Sequence, residues 1–355
     1  LMTSYQPKTI GILGGGQLGK MLAISASHLG YNTIVFSPEK TSIAFSVASE
    51  SVVASFQDSK ALENFFNRCD VVTYEFENIV LPKLSNAYLN KLKPSINILE
   101  ISQDRIKEKT FLNSIKVKTA SFKQIKSLSD AIDFINKNGK SIIKTATLGY
   151  DGKGQWVCHK NNIQKLNLNF SNTTYIIEQK VDFITEASAI IARNASGEMA
   201  VFPISQNTHI DGILAKTIAP AKISATVLKK INKIASLVAE KLGLEGILAV
   251  EFFITKKGEV LVNELAPRPH NSGHWTMDGS ITSQFEQTIR AILNLPLGST
   301  KIKAHKAQVE MINILGDDIN NLEKYYKNPK AKIYIYGKEN SKKSEKRKLG
   351  HINLL

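Results

Sequence analysis

Between Gly246 and Trp275 the chain carries its densest set of groups able to manage charge. An apolar run from Leu248 to Ile254 breaks at Lys257-Gly258 and resumes from Val260 to Glu264, the pattern of two strands joined by a tight turn. With those two as the turn residues, Glu251 faces Glu264. Directly opposed side chains have Cβ atoms about 4.5–5.5 Å apart, where like charges are destabilising, so the pair calls for a cation. Two carboxylates on a rigid hairpin suit magnesium carried in with a nucleotide's phosphates better than a closed protein cage. A one-residue bulge at the turn would instead set Glu251 against Asn263 or Leu265. The plain alternative is two solvated glutamates. Arg268, His270, Asn271, Ser272 and His274, crowded into the residues after the strand end, argue against it.

The elements that must position these groups are legible in order. An apolar strand, Lys8 to Leu13, leads into Gly14-Gly15-Gly16-Gln17-Leu18-Gly19 and a helical pattern reaching about Leu29. Glycines permit the tight turn, and bare amides at a helix start can hold a phosphate. A dinucleotide enzyme would close the next strand, Asn32 to Phe36, with an acidic residue for the ribose. Ser37-Pro38-Glu39 stands there instead and argues against NAD. Strands at Val52 to Ala54 and Val71 to Phe76 complete an open parallel sheet. Glu75 and Glu77 share one side of its carboxyl end, where ligands of such sheets bind.

Ser102 to Ser114 is helical, with Asp104-Arg105 near its start, and a second α/β segment follows: Ala131 to Asn138 as helix, Ser141 to Lys144 as strand. Leu148 to Gln155 then sets three glycines around Asp151 and Lys153. This is either a flap whose amides close over phosphates or a hairpin turn with Asp-Gly at its tip. Tyr175 to Val181 reads as a strand ending in Glu178-Gln179-Lys180-Val181, with Glu186 beyond, an edge able to take adenine and then ribose hydroxyls. Strands follow at Ala187 to Ala192 and Met199 to Ile204, then a polar loop from Gln206 to Gly212 and an amphipathic helix from Ala225 to Leu242. After a helical stretch from Ser283 to Leu293, Pro296 marks a boundary before a small β-rich lobe.

The 355 residues, 43% of them hydrophobic, allow two or three domains with real cores. A net charge of +15 admits nucleic acid, membrane surface or acidic small molecules as partners. Basic residues are spread along the chain, however, and no basic motif interleaved with aromatics supports nucleic acid. Six of the 46 basic residues are arginines, so an arginine here marks a place where a planar two-point fork is wanted. There is no run of about 18 apolar residues and no signal-peptide pattern. Cys69 and Cys158 lack metal-type spacing, and the expected setting is a reducing cytoplasm.

The stretches GILGGGQLGKM, TYEFENI, GYDGKGQ, EQKV, HIDGI, VEFF, VNELAPRPHNSGHWT with SQFEQTIRAI, and RKLGH near the end together resemble the ATP-grasp ligases. Within that group the chain is most similar to the 5-(carboxyamino)imidazole ribonucleotide synthases of purine biosynthesis. The resemblance spans almost the whole chain and implies an α/β and α+β fold. A Rossmann-like pre-ATP-grasp substrate domain would cover 1–103, and the ATP-grasp small lobe 104–186. The large lobe with the metal site would cover 187–298, and a β-rich C-terminal motif 299–355. The implied enzyme is an ATP-dependent carbon–nitrogen ligase. It would carboxylate 5-aminoimidazole ribonucleotide with bicarbonate through carboxyphosphate, releasing ADP and phosphate.

Carried over residue by residue, the resemblance sets the ATP phosphates against Arg105, Lys144 and the flap of Gly149, Tyr150, Asp151, Gly152, Lys153, Gly154 and Gln155. Adenine goes to Glu178, Gln179, Lys180 and Val181 and the ribose to Glu186, with His209 and Asn263 completing the nucleotide site. Glu251 and Glu264 would hold magnesium or manganese. Arg268, His270 and Asn271 would form the bicarbonate and carboxyphosphate pocket, with Asp151 accepting the amine's proton. The ribonucleotide would meet Gly16, Gln17 and Leu18, its phosphate Arg347 and the catalytic Lys348, and its imidazole Glu75, Tyr150 and Asp151. A homodimer and functional coupling to the mutase that uses the product are also implied, with no nucleic acid or membrane partner. Two departures stand out: Ala146 and Leu148 replace the arginine and the first of the paired glycines before the flap, and Ser344-Glu345-Lys346 replaces a basic-proline-glycine lead into Arg347. The competing readings are a formate-using ribonucleotide ligase of the same fold and a basic nucleic-acid-binding protein.

Overall fold

Strands buried on both faces read as continuous apolar runs, as Asn32–Ser37, Thr9–Leu13 and Val71–Tyr74 do; with the exposed edge strand Glu50–Val53 they form a parallel sheet in the order Glu50–Val53, Asn32–Ser37, Thr9–Leu13, Val71–Tyr74. The computed structural model describes residues 7–149, 154–303, 308–338 and 347–355. The fourth strand ends at Tyr74, earlier than expected, so Glu75 and Glu77 belong to the segment leaving the sheet.

The expected helix from Ser102 to Ser114 is two helices, Ile96–Gln103 and Arg105–Ser114. Asp104 separates them: its side chain caps the second by accepting from the Ile106 and Lys107 amides. A four-stranded antiparallel sheet follows, ordered Phe122–Ile125, Tyr175–Gln179, Ser141–Thr145, Gln155–Cys158.

The largest sheet holds nine strands among the described residues. It runs Val260–Ala266, Gly246–Thr255, Phe183–Arg193, Ser205–Ile210, Ile213–Ala219, Val309–Leu315, Lys348–Leu354, Ala331–Ile335, with Met199–Val201 also paired to Phe183–Arg193. Three expectations change here. The boundary at 186/187 falls inside the strand Phe183–Arg193, which lies wholly in this sheet. The polar loop from Gln206 is mostly strand: Asn207 is buried with partners on neighbouring strands, Ser188 and Thr217, while His209 reaches the cavity wall. The C-terminal strands extend the large sheet through the pairing of Val309–Leu315 with Ile213–Ala219 instead of standing apart.

Helix Ala225–Lys241 buries Val227, Ile231, Ala235 and Val238 in the core beneath the hairpin. Helix Gln17–His28 packs Leu18, Met21 and Leu22 into one core with Phe285, Ile289 and Ile292 of helix Gln284–Ile292, fixing the parallel sheet against the large one. No helix among the described residues is long and apolar enough to cross a membrane.

Candidate active site

The hairpin departs from a two-residue turn. Ile254 pairs with Val260 and Phe252 with Val262, and the register then shifts so that Val250 pairs with Leu265. The irregularity falls at Glu251, and it absorbs the residue gained at the longer Thr255–Glu259 turn. The two acids meet all the same. Burial, and then the charge of Glu264, raise the Glu251 carboxyl above its ordinary range. Among the described residues no three His, Cys, Asp or Glu side chains converge as a cage. The donor set is therefore a carboxylate pair open to a cavity, which fits a magnesium or manganese ion completed by phosphate oxygens and water.

That cavity, about 1240 Å³, takes residues from all three sheets. At one end Glu178 is buried, its Oε2 lying 3.0 Å from Lys144 Nζ and 3.5 Å from Lys109 Nζ. Burial would raise this carboxyl, but the two lysines outweigh it and hold it low. Glu178 thus serves first to hold lysines, while Gln179, Lys180 and Val181 line the wall beside it. Lys109 also donates to the Asn263 carbonyl at 3.1 Å, tying the small lobe to the hairpin. Its signal was a lysine four places after Arg105 on one helix face. Glu108 was missed as well: it lines the cavity and accepts from the Leu265 amide at 2.8 Å. Arg105 donates to the carbonyls of Thr145 and Gly149 at 3.1 and 3.2 Å. A Cβ at Gly149 would come 2.7 Å from Arg105 Nη1, so a larger residue there would push the guanidinium aside. Leu148 stands at φ +61°, a conformation that glycine adopts without strain.

Glu186 and His209 lie on the cavity wall, joined Oε2 to Nδ1 at 2.8 Å. Burial disfavours the charged ring, yet the Glu186 carboxylate wins and raises the His209 pKa.

At the other end the glycine loop is bound differently from a phosphate cradle. The amides of Gly16 and Gly19 donate to the two oxygens of Glu75, at 2.5 and 2.8 Å. The anion seat at this helix start is taken by the chain's own carboxylate, although Gly16, Gln17 and Leu18 still line the cavity. Glu75 lines it too, with both oxygens committed to the loop. Glu77 clasps the Arg268 guanidinium, and Lys338, Arg347 and Lys348 complete this end. His270 is buried, with its pKa lowered to about 3 by burial and then by the Arg268 charge. Both amide atoms of Asn271 are buried with no partner among the described residues, on the cavity wall.

Of the described residues to which the resemblance gives a ligand, catalytic or metal role, Gly154 alone stands off the wall, its carbonyl accepting from the Thr145 amide. Tyr150, Asp151, Gly152 and Lys153 lie outside the described residues.

A nucleotide-sized cavity floored by a carboxylate hairpin, between a small antiparallel lobe and a large sheet, defines an ATP-grasp enzyme. The matching family models agree: a ribonucleotide synthetase preATP-grasp domain over residues 7–103, an ATP-grasp domain over 110–285 and a phosphoribosylaminoimidazole carboxylase C-terminal domain over 310–355. The N5-carboxyaminoimidazole ribonucleotide synthase of Brucella melitensis is 40% identical over 99% of this chain and 97% of its own length. A bifunctional purine synthesis protein of Dictyostelium discoideum is 42% identical over 97% of this chain, which spans 36% of that longer protein. The fold superposes with TM-score 0.91 and 39% identity on an ADP complex of N5-carboxyaminoimidazole ribonucleotide synthetase, covering 100% of this chain and 94% of that one. It also superposes with TM-score 0.88 and 26% identity on the Aspergillus clavatus enzyme bound to ADP and 5-aminoimidazole ribonucleotide, covering 98% and 93%. The chain belongs to the N5-carboxyaminoimidazole ribonucleotide synthase family of ATP-dependent ligases.

Proposed function

We propose that the chain carboxylates the exocyclic amine of 5-aminoimidazole ribonucleotide with bicarbonate at the expense of ATP. Bicarbonate is a poor electrophile. Phosphorylating it to carboxyphosphate, with release of ADP, turns phosphate into the leaving group; the amine then attacks the carboxyl carbon, phosphate departs and the amine gives up a proton. The protein's share is positioning and charge neutralisation. Arg105, Lys144 and the flap base meet the ATP phosphates, and Glu186 with His209 meets the ribose. Glu251 and Glu264 would hold a magnesium or manganese ion, which supplies charge neutralisation at the transferred phosphoryl group.

The observation that carries this reading is that one cavity takes in both the acid hairpin and the N-terminal loop with Arg347 and Lys348. A nucleotide and a second phosphorylated substrate can therefore share it. Arg268 and the Asn271 amide, which has no partner among the described residues, offer donors for a small oxyanion. Arg347 and Lys348 would hold the ribonucleotide phosphate. This assignment gains weight from Glu75 already filling the anion seat of the glycine loop. The homodimer and the coupling to a product-using mutase belong to the same proposal and rest on the family resemblance; the cytoplasmic setting belongs to it too and rests on the cysteine pattern.

ADP formation measured with bicarbonate and the ribonucleotide omitted in turn tests it. Full turnover should need both. Turnover sustained by formate in place of bicarbonate would assign the site to the formate-using class instead.

A further inference from the structure

Behind the acid pair a buried row of polar side chains crosses the large sheet: Thr217, Asn207, Ser188 and Ser272, none more than 6% exposed. Thr217 Oγ1 lies 3.0 Å from Asn207 Oδ1, and Asn207 Nδ2 lies 3.1 Å from Ser188 Oγ. Ser188 Oγ is 2.7 Å from Ser272 Oγ, which is 2.8 Å from His270 Nδ1. On the far side of the ring, Nε2 stands 3.3 Å from Glu251 Oε1. The sheet register produces this row, since Asn207 pairs with Thr217 and Ser188 with Glu251.

Hydroxyls donate or accept and an amide can be turned round, so distances alone leave the direction of the row open. The backbone closes it. The Ser272 N–H points at His270 Nδ1 from 3.4 Å, and a backbone N–H only donates. Nδ1 therefore presents its lone pair. The Ser272 hydroxyl must donate to it as well, which makes Ser272 accept from Ser188, Ser188 from the Asn207 amide nitrogen, and the Asn207 carbonyl from Thr217. An imidazole with a bare Nδ1 carries its proton on Nε2, here directed at Glu251.

We propose that Thr217, Asn207, Ser188 and Ser272 are positioning residues that fix His270 as its Nε2–H tautomer, so that His270 serves the site as a hydrogen-bond donor and not as the base that takes the amine's proton. The reaction it serves rests on the function proposed above; the tautomer rests on the hydrogen-bond geometry alone. With Nδ1 facing two donors and Nε2 already protonated, the ring has no lone pair to offer the substrate. Its Nε2–H holds one oxygen of Glu251 in place, and the amine's proton goes to another acceptor.

The test is a long-range nitrogen–proton correlation spectrum of the histidine rings in the full-length, uniformly nitrogen-15-labelled protein, with His270 assigned by its loss in His270→Asn. The expected result is a protonated Nε2 and a bare Nδ1. Thr217→Val keeps the shape but removes the last donor, letting Asn207 turn round. It should mix the tautomers and lower kcat about fivefold or more, with the KM for ATP within twofold. Thr217→Ser, which keeps the hydroxyl, should restore both, and Ser272→Ala should reproduce the loss from the near end of the row. A proton on Nδ1 in the parent, or ring signals and kcat unchanged in both Thr217→Val and Ser272→Ala, would overturn the proposal. If the ring is the Nε2–H tautomer but turnover does not depend on bicarbonate, the proposed reaction fails and the positioning role stands.

Discussion

Glu77, leaving the N-terminal sheet, and Arg268, in the turn after the acid hairpin, form a two-point ion pair on the cavity wall. Arg268 Nη2 donates to Glu77 Oε1 at 2.9 Å, and Nε donates to Oε2. Burial would raise the Glu77 carboxyl, but the charge and hydrogen bonds of Arg268 outweigh it and hold the pKa at about 2. The pair fixes the guanidinium plane, and with it the donors turned toward the cavity. Arg268→Lys keeps the charge but loses the fork. Carboxylation should fall at least about tenfold, on the order of 1.4 kcal/mol, while the KM for ATP stays within about twofold. An equal loss of ATP affinity would move this arginine to the nucleotide site.

Glu264→Gln removes one charge from the acid pair at the cavity. Turnover should drop by two orders of magnitude or more, about 3 kcal/mol of lost transition-state stabilisation, and should recover in part at high magnesium. Near-parental turnover at ordinary magnesium would mean that the pair is not a metal site.

Much of this was legible in the sequence. The parallel sheet, the glycine loop and the acid hairpin each follow from local patterns of apolar period and turn chemistry. What was not legible depends on partners far apart in the chain. Nothing local to Gly16 says that Glu75 will occupy its amide, and nothing local to Glu178 says that Lys109 and Lys144 will converge on it. The shift at Glu251 escaped because a bulge trades one residue against turn length without altering the apolar pattern. The stretch from Gln206 to Gly212 reads as a loop because its strand residues pair their polar groups with other elements, Asn207 with Ser188 and Thr217 and His209 with Glu186, and polar strands lack the usual signal.

Arg347 begins a segment that could have been a solvated basic tail. Instead its carbonyl accepts from the Gly316 amide at 3.0 Å, and the strand that follows is buried from Leu349 to Asn353. A backbone held in this way can aim the guanidinium at a ligand. Arg347→Ala should raise the KM for the ribonucleotide about tenfold or more, on the order of 1.4 kcal/mol for a charge-assisted phosphate contact. The KM for ATP should barely move. If steady-state kinetics place both constants within twofold of the parent, the substrate phosphate is held elsewhere.

Glu108 gives the fold a pH dependence that can be measured without substrate. Its carboxyl is buried beside the hairpin, and burial pushes its pKa from 4.5 up to about 8, against the nearby Lys109 charge and with help from Glu264. The folded protein therefore binds this proton more tightly than the unfolded chain does. The contribution to stability is fully present below pH 4.5 and is lost as pH rises through about 8. Glu108→Gln keeps an oxygen to accept the Leu265 amide, now bonded at 2.8 Å, and removes the group that must ionise. Thermal melts of parent and variant from pH 5 to 8.5, without nucleotide or metal, should show the parent's Tm falling more steeply. Near the upper end the variant should be the more stable of the two. Parallel curves would mean that Glu108 ionises in the fold as readily as in water, and that its buried oxygen has another partner.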